Sequence, residues 1–325
     1  FFLMILRPPS STLFPYPTLF RSAGGFYTVD VANPTGSVTS SSVLLEVMPS
    51  TTDPGRISNL AIRSQAGTGA QTLIVGFVVG GSGAVGNKPV LLRGVGPTLA
   101  AFGVPGALVD PRLELFNNQL VRIAENDNWA GAATVTAAGA QVGAFSYSST
   151  ASLDAALYQP ALTPGNYNLQ VIGNNGATGV ALAEIYDAGP TFDATTPRLI
   201  NVSARTRVGT GGDILIAGFV IGGSTPCTVV IRGVGPTLTA FGVAGALADP
   251  KLEIYSGSTL LHTNDDWGGH AAVSGAFANA GAFPLSPTAR DAGMVITLPP
   301  GAYSAQVSGV GNTTGLALVE VYELP

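Results

Sequence analysis

The chain carries one long pattern twice, and this internal repeat constrains its fold more than any other feature. Residues 56–187 recur as residues 198–323, and both copies contain RGVGPTL followed by AFGV and GAL. Between residues 90–115 and 229–254, about 19 of 26 aligned positions are identical, which indicates duplicated units rather than chance similarity. We therefore predict two domains, residues 56–188 and 198–325, joined by a linker at residues 189–197.

Short apolar segments separated by Gly, Pro, Asn or Asp make up each repeat and predict β-strands. In the first copy these segments are TLIVGFVV, PVLLRG, LELFN, YNLQVIG and VALAEIY. Only 10% of the 325 residues are charged, and 43 are Gly and 23 Pro, which favours strands and turns over helices. The sequence therefore predicts an all-β fold of two tandem β-sandwich domains with a jelly-roll-like form.

Two segments have helical rather than strand character. The stretch PTLAAFG places Pro97 in a first helical turn and Gly103 at a helix stop. An Ala-rich stretch covers residues 271–280 of the second copy. We predict short helices here that cap a sheet edge or the end of a barrel.

Three segments precede the repeats. Residues 1–22 begin FFLMIL, but Arg7 and several prolines follow, which fits neither a signal peptide nor a membrane span. They resemble translated sequencing-adapter DNA, so we expect an unstructured assembly artefact. Residues 23–49 alternate apolar and polar side chains around Asn-Pro-Thr-Gly, which predicts a β-hairpin. Residues 50–55 are expected to be a linker.

This hairpin resembles the last two strands of a bacterial immunoglobulin-like domain, with Tyr27 at the tyrosine-corner position. The resemblance implies that the earlier strands of that domain are missing. We therefore expect the chain to be a C-terminal piece of a longer protein, without the export signal of that protein.

The second half of each repeat resembles the bacterial pre-peptidase C-terminal domain, a β-sandwich at the ends of secreted hydrolases. The resemblance rests on the NDN or NDD turn and on the turns TPGNY and PPGAY. The whole unit resembles tandem repeats at the ends of large secreted proteins of environmental bacteria such as Verrucomicrobia. Both resemblances imply a secreted or cell-surface location, with upstream domains of the same polypeptide as partners, and neither brings catalytic residues.

The glycine-rich turn at Arg93–Thr98 is not a phosphate-binding loop by its pattern. No Lys followed by Ser or Thr completes it, and no strand–helix–strand unit surrounds it. Pro97 also removes a backbone N–H that an anion would use. We interpret the turn as part of the closure of the fold.

Arg93 and Arg232 end apolar strands, where a partly buried guanidinium needs a carboxylate partner. The candidate partners are Asp110 and Glu114 in the first repeat. The candidates in the second repeat are Asp249 and Glu253. We predict one structural ion pair inside each repeat.

Carboxylates near the NDN and NDD turns are candidate calcium ligands, although such residues also favour turns that bind no metal. A calcium site would bring Asp127 close to Asp154, and Asp265 or Asp266 close to Asp291. Trp129 and Trp267 hold equivalent positions after these turns. They are candidate carbohydrate platforms, with a packing role as the alternative.

Few features of the sequence indicate catalysis. His262 and His270 align with Ala124 and Ala132, and no nucleophile motif such as G-x-S-x-G is present. The net charge of −5 disfavours nucleic acid as a partner. We predict no enzyme and no cofactor, with calcium as the one candidate, and a non-catalytic structural, adhesion or spacer module without a membrane span. The alternative is a calcium- or polysaccharide-binding accessory module of an extracellular hydrolase.

Overall fold

The structure is a computed structural model that describes residues 25–33, 36–40, 43–45, 53–190, 192–193 and 195–324. Within these residues the chain is an all-β sandwich with a few short helices, as the sequence predicts. The segment predicted to be an artefact, residues 1–22, lies outside the described residues.

The strands follow one another in the same order in both repeats. The strands before the first repeat are β1 Gly25–Tyr27, β2 Asp30–Asn33, β3 Gly36–Thr39 and β4 Val43–Leu45. The first repeat contains β5 Arg56–Ala66, β6 Leu73–Gly80, β7 Lys88–Val95, β8 Pro111–Asn117, β9 Arg122–Asn126, β10 Ala155–Leu162, β11 Gly165–Gly173 and β12 Gly179–Asp187. The second contains β13 Arg198–Val208, β14 Leu215–Gly222, β15 Cys227–Val234, β16 Pro250–Ser256, β17 Thr259–Asn264, β18 Ala292–Leu298, β19 Gly301–Gly309 and β20 Gly315–Glu323.

The predicted short helices are also present. Pro97–Phe102 and Pro236–Phe241 form 3₁₀ turns, and Gly103 closes the first of these in the left-handed conformation with a φ of 75°. The two α-helices are α1 Ala133–Val142 and α2 Ala271–Asn279. All four segments occupy equivalent places in the two repeats.

Each repeat has the strand order of a jelly roll. In the first repeat, β10-β7-β12-β5 form half of one sheet, and β6-β11-β8-β9 form half of the other. In the second repeat the corresponding halves are β18-β15-β20-β13 and β14-β19-β16-β17. Every pairing is antiparallel, so eight strands per repeat form two facing four-stranded layers.

The two jelly rolls are joined through their sheets. Strand β5 pairs with β14, and β13 pairs with β6, both antiparallel. The chain therefore forms two continuous eight-stranded sheets, each with four strands from either repeat. Sheet A runs β10-β7-β12-β5-β14-β19-β16-β17, and sheet B runs β18-β15-β20-β13-β6-β11-β8-β9.

One hydrophobic core lies between the two sheets and continues from one repeat into the other. Alternating residues of β6 and β14 point into it, as a strand covered on one face requires. Phe77 stacks on Tyr167 with the ring centroids 5.3 Å apart, and Phe219 stacks on Tyr303 at 5.6 Å. The repeats thus share a single buried interior.

The strands run between two ends of the sandwich, which we call the junction end and the distal end. The junction end contains Arg56, Asp187, Arg198 and Glu323, which begin or end central strands. There Ile57 N donates a hydrogen bond to Glu323 Oε2 at 3.2 Å, so the start of the first repeat touches the end of the second. The distal end contains the glycine-rich turns and the turns that follow β9 and β17.

The segment before the repeats contains the predicted hairpin. Strand β2 pairs with β3, with Asn33 opposite Gly36, and β1 pairs with β4. Both pairings are antiparallel, and the register shifts by one residue between the Tyr27–Val43 pair and the Asp30–Thr39 pair. This supports the hairpin and leaves its relation to an immunoglobulin-like domain as a prediction.

The shared sheets predict that the repeats stay together after the linker is cut. We would insert a specific protease site after Asp193 and cleave the folded protein. The two halves should co-elute in size-exclusion chromatography, because the β5–β14 and β13–β6 ladders and the common core hold them. They should separate only in denaturant. Separation of the halves under native conditions would contradict the shared-sheet arrangement.

Candidate functional site

The glycine-rich turn after β7 is shaped by a close approach of two backbone segments. A Cβ atom at Gly96 would lie 2.1 Å from the carbonyl oxygen of Leu108, and one at Gly235 would lie 2.2 Å from that of Leu247. No other residue fits at either place without moving the backbone. The need for glycine therefore comes from packing within the fold.

The amides of this turn do bind an anion, which is a side chain of the protein. Asp154 is completely buried, and its Oδ1 accepts hydrogen bonds from Gly96 N at 2.7 Å and Thr98 N at 3.3 Å. Its Oδ2 accepts from the hydroxyls of Thr98 and Ser152. Asp154 thus caps the 3₁₀ turn and fixes the loop between β7 and β8.

The second repeat contains the same cap. Asp291 Oδ1 accepts from Gly235 N at 2.8 Å and Thr237 N at 3.3 Å, and Oδ2 contacts the Thr237 hydroxyl at 2.5 Å. The two copies therefore support the interpretation of the turn as a closure of the fold. In neither copy are the turn amides left for an external phosphate.

Backbone amides and hydroxyls already surround the carboxylates of Asp154 and Asp291, which favours the metal-free alternative for these two residues. Asp127 contacts the side-chain amide of Asn174, and Asp265 and Asp266 are exposed at the distal end. Among the described residues, no group of three or more His, Cys, Asp or Glu side chains could hold a metal. Calcium binding at the distal end therefore stays a prediction.

Each repeat contains the predicted buried Arg ion pair, but the predicted partners were wrong. Arg93 is 2% exposed, and its Nε lies 3.3 Å from Glu184 Oε2. Arg232 is completely buried, and its Nε donates to Glu320 Oε2 at 2.8 Å. In both cases Arg and Glu are directly opposite on paired strands, Arg93 with Glu184 and Arg232 with Glu320.

The predicted partners bind elsewhere because they lie in, or directly precede, strands β8 and β16 of the opposite sheet. Glu114 pairs with Arg122 at 2.8 Å and Arg112 at 3.0 Å, Asp249 pairs with Arg290 at 2.6 Å, Glu253 pairs with Lys251 at 2.6 Å, and the carbonyl of Asp110 accepts from Asn174 N at 2.9 Å. The core side chains separate these groups from the two buried arginines.

The buried pairs lie on the outer faces of the sheets, under the helices. Tyr147 accepts a hydrogen bond from Arg93 Nε at 3.0 Å, and Tyr186 donates to Glu184 at 2.7 Å. Burial raises the pKa of Glu184, although the neighbouring Arg93 opposes this shift. The pair is thus enclosed between aromatic groups and has a structural role.

Trp129 and Trp267 are packing residues in the structure. Trp129 is 8% exposed and contacts Tyr147 with the ring centroids 4.8 Å apart. Trp267 is 3% exposed, contacts Phe277 at 5.6 Å, and donates to the Ser286 carbonyl at 2.9 Å. Both rings are covered by neighbouring side chains, so the structure favours the packing role over a carbohydrate platform for these two residues.

A shallow polar cleft of about 490 Å³ opens at the distal end of the first repeat. It is lined by Arg112, Glu125, Asn126, Asp127, Asn128 and Asn174. Asn126 stabilises the turn, since its Oδ1 accepts from Ala156 N and its Nδ2 donates to the Asn128 carbonyl.

The second repeat has the same turn with a different lining. Asn264 makes the same two bonds as Asn126. The residues at the positions of Arg112, Glu125 and Asn174 are Lys251, Thr263 and Val310. The turn is shared, whereas the lining of the cleft is specific to the first repeat.

A second polar cluster, missed by the sequence analysis, lies inside the junction end. Glu323 is 6% exposed, with Oε1 2.7 Å from Arg198 Nε and Oε2 accepting from Ile57 N. Burial raises the pKa of Glu323 to about 7 against the attraction of Arg198 and Arg56, and the charge of Asp187 adds to the rise. Lys88 and Asp187 complete the cluster and have no exposed side-chain surface.

One sequence signal pointed to this cluster. Lys88 is one of only two lysines in the chain, and it directly precedes the apolar strand segment PVLLRG. A charged residue there predicts burial of the charge and hence a partner. The identity of that partner depends on which strand ends meet at the junction, and the repeat pattern alone does not show this.

Removal of either aspartate cap should destabilise the fold. In Asp154→Ala or Asp291→Ala, two buried amides lose a charged acceptor, and we expect the free energy of unfolding to fall by about 1.5–3 kcal/mol. Urea unfolding followed by tryptophan fluorescence measures this. Asp127→Ala, at an exposed carboxylate, is the matched control and should change stability by about 0.5 kcal/mol at most. Equal losses in all three variants would contradict the cap.

Glu323 predicts a pH dependence of stability. Its pKa in the folded protein, about 7, exceeds the value of about 4.3 expected for an unfolded chain. Its contribution to stability is therefore complete below the unfolded value and is lost as the pH rises through about 7. Between about pH 5 and pH 8 we expect the free energy of unfolding to fall by about 2–3 kcal/mol more in the parent protein than in Glu323→Gln. Parallel pH profiles would contradict this assignment.

No helix in the described part of the chain is long and apolar enough to cross a membrane. No protein-family model and no curated protein matches the chain. Among solved structures, the chain is similar to a DUF4785 family protein from Legionella pneumophila, with 8% sequence identity and a TM-score of 0.23, over 98% of this chain and 89% of that one. A similarity of this size carries no argument about fold or function.

Proposed function

We propose that the protein is a non-catalytic adhesion module of a secreted or cell-surface bacterial protein. The observation that carries the proposal is that the first strand of the first repeat and the last strand of the second meet at the end opposite the duplicated loops. Residues 57 and 323 are in contact at the junction end, while both glycine-rich turns lie at the distal end. Such a module attaches through one end and presents two copies of the same loops at the other.

This geometry supports adhesion more than a spacer role. A spacer separates the segments before and after it, whereas here the start of β5 touches the end of β20. Residues 53 and 55 also bond to Ser224 and Thr225 at the same end. A chain that enters and leaves at one place gains little length from the module.

The distal end also displays apolar side chains. Phe102 and Phe241 are the last residues of the two 3₁₀ turns, and each is 62% exposed. Val109 and Leu153 are 66% and 44% exposed beside the first of these turns. Exposed apolar groups are typical of binding surfaces, and these lie at the same end of the sandwich as the polar cleft. Extracellular polysaccharide or components of a cell surface are the partners that we propose.

Retention of the protein on bacterial surfaces and immobilised exopolysaccharides tests the proposal. We expect the parent protein to be retained and the double variant Phe102→Ala/Phe241→Ala to lose most of this retention, since both copies of the contact are then removed. Leu120→Asn is the matched control. Leu120 is 76% exposed in the β8–β9 turn, away from the distal end, and its φ of 58° suits Asn. We expect this variant to bind like the parent.

Two results would count against adhesion. No retention of the folded parent on any of these surfaces would remove the proposal. Equal retention of the parent and the double phenylalanine variant would remove the distal end as the contact surface. Circular dichroism of each variant shows whether the sandwich is intact.

A further inference from the structure

A buried lysine and a buried aspartate are in contact at the junction end of the first repeat. Lys88 Nζ lies 2.5 Å from Asp187 Oδ1, and both side chains are fully buried. Because Cγ of Asp187 is bonded to Oδ1, the contact also places the amine nitrogen close to the carboxyl carbon.

The backbone holds the two groups together on adjacent strands. Lys88 begins β7, Asp187 ends β12, and Asp187 lies opposite Val90, two residues beyond Lys88 on the same face of the sheet. Gly189 N donates to Asp187 Oδ1 at 2.9 Å. A Cβ atom at Gly189 would lie 2.8 Å from Lys88 Nζ, so glycine leaves the space that the amine occupies.

The surroundings exclude water from the contact. The ring of Phe192 covers the amine, with Lys88 Nζ 3.9 Å from the ring centroid. Arg56 lies over the same ring, with its guanidinium carbon 3.1 Å from the centroid. The pair is thus closed off between the sheets and the linker that follows β12.

Burial favours the neutral forms of both groups. It lowers the pKa of Lys88 and raises the pKa of Asp187, although their mutual attraction opposes both shifts. A neutral amine is a nucleophile, and a neutral carboxylic acid is a better acyl donor than a carboxylate. A reaction between two such groups within one folded chain is intramolecular. Because the fold already holds them in contact, their effective concentration is high.

We propose that Lys88 and Asp187 join in an intramolecular isopeptide bond once the protein has folded. Nζ attacks Cγ, the new C–N bond forms, and one C–O bond of the carboxyl group breaks. The leaving oxygen departs as water with two protons, which come from the amine and the carboxylic acid. The reaction needs no oxidant, reductant or further reactant.

The second repeat does not contain the same pair. Cys227 stands at the position of Lys88, and Glu323 at that of Asp187. The bond would therefore occur once in the chain. It would link the first residue of β7 to the last residue of β12. The inference is independent of the proposed adhesion function, since it concerns the interior of the first repeat.

The intact mass of the purified full chain under denaturing conditions tests the proposal. We expect the parent protein to be lighter than its sequence by the mass of one water molecule. Peptide mapping should find the peptide containing Lys88 covalently linked to the one containing Asp187. Amine-reactive labelling of the denatured chain should modify Lys251 and leave Lys88 unlabelled.

The second lysine provides the matched control. Lys251→Arg changes a partly exposed residue and should keep the loss of water, whereas Lys88→Arg and Asp187→Ala should restore the full mass. The decisive measurement uses the parent protein and does not depend on the folding of the variants. Full mass in the folded parent, with both lysines labelled after denaturation, would overturn the proposal and leave Lys88 and Asp187 as a buried ion pair.

Discussion

The pairing of β5 with β14 and of β13 with β6 is the constraint on which the rest of the structure depends. Each sheet would otherwise end in an open strand at the centre of the molecule, with unpaired N–H and C=O groups. The duplication supplies a matching edge for each of these strands. A single continuous core and a common junction end follow from this exchange of edges.

Two sets of buried polar groups have their partners within one repeat. The aspartate caps hold the glycine-rich turns, and the Arg–Glu pairs lie under the helices. Both devices occur twice because they came with the duplicated unit. The cleft lining and the Lys88–Asp187 contact occur once, so they arose by divergence between the copies. Differences between the repeats, rather than their shared features, therefore mark the places where specific chemistry is to be sought.

The local sequence pattern predicted the individual strands and helices well, but it predicted less of how they pair and pack. The strand segments and the 3₁₀ turn that ends at Gly103 follow from alternation, proline and glycine, and the α2 helix follows from its alanine content; all of these act over a few residues. The partner of Arg93 was missed because Glu114 is near in sequence, while Glu184 is opposite on a paired strand. The burial of Trp129 depends on packing by the segment around Tyr147, which a sequence read one segment at a time does not show. The joining of the two repeats was missed for the same reason, since each repeat has strands enough for a sandwich of its own.

The shared sheets have a consequence for how the protein is made. A ribosome completes the first repeat before the second emerges, so β5 and β6 of the nascent chain face solvent until β14 and β13 are synthesised. During that interval the edges of β5 and β6 are unpaired. The strands that pair with them in the folded protein, β14 and β13, are repeat copies of β6 and β5. Neighbouring nascent chains on one messenger RNA offer equivalent strands at the same moment. Sequence differences between the repeats therefore also affect whether these edges pair within one chain or with the strands of a neighbouring chain.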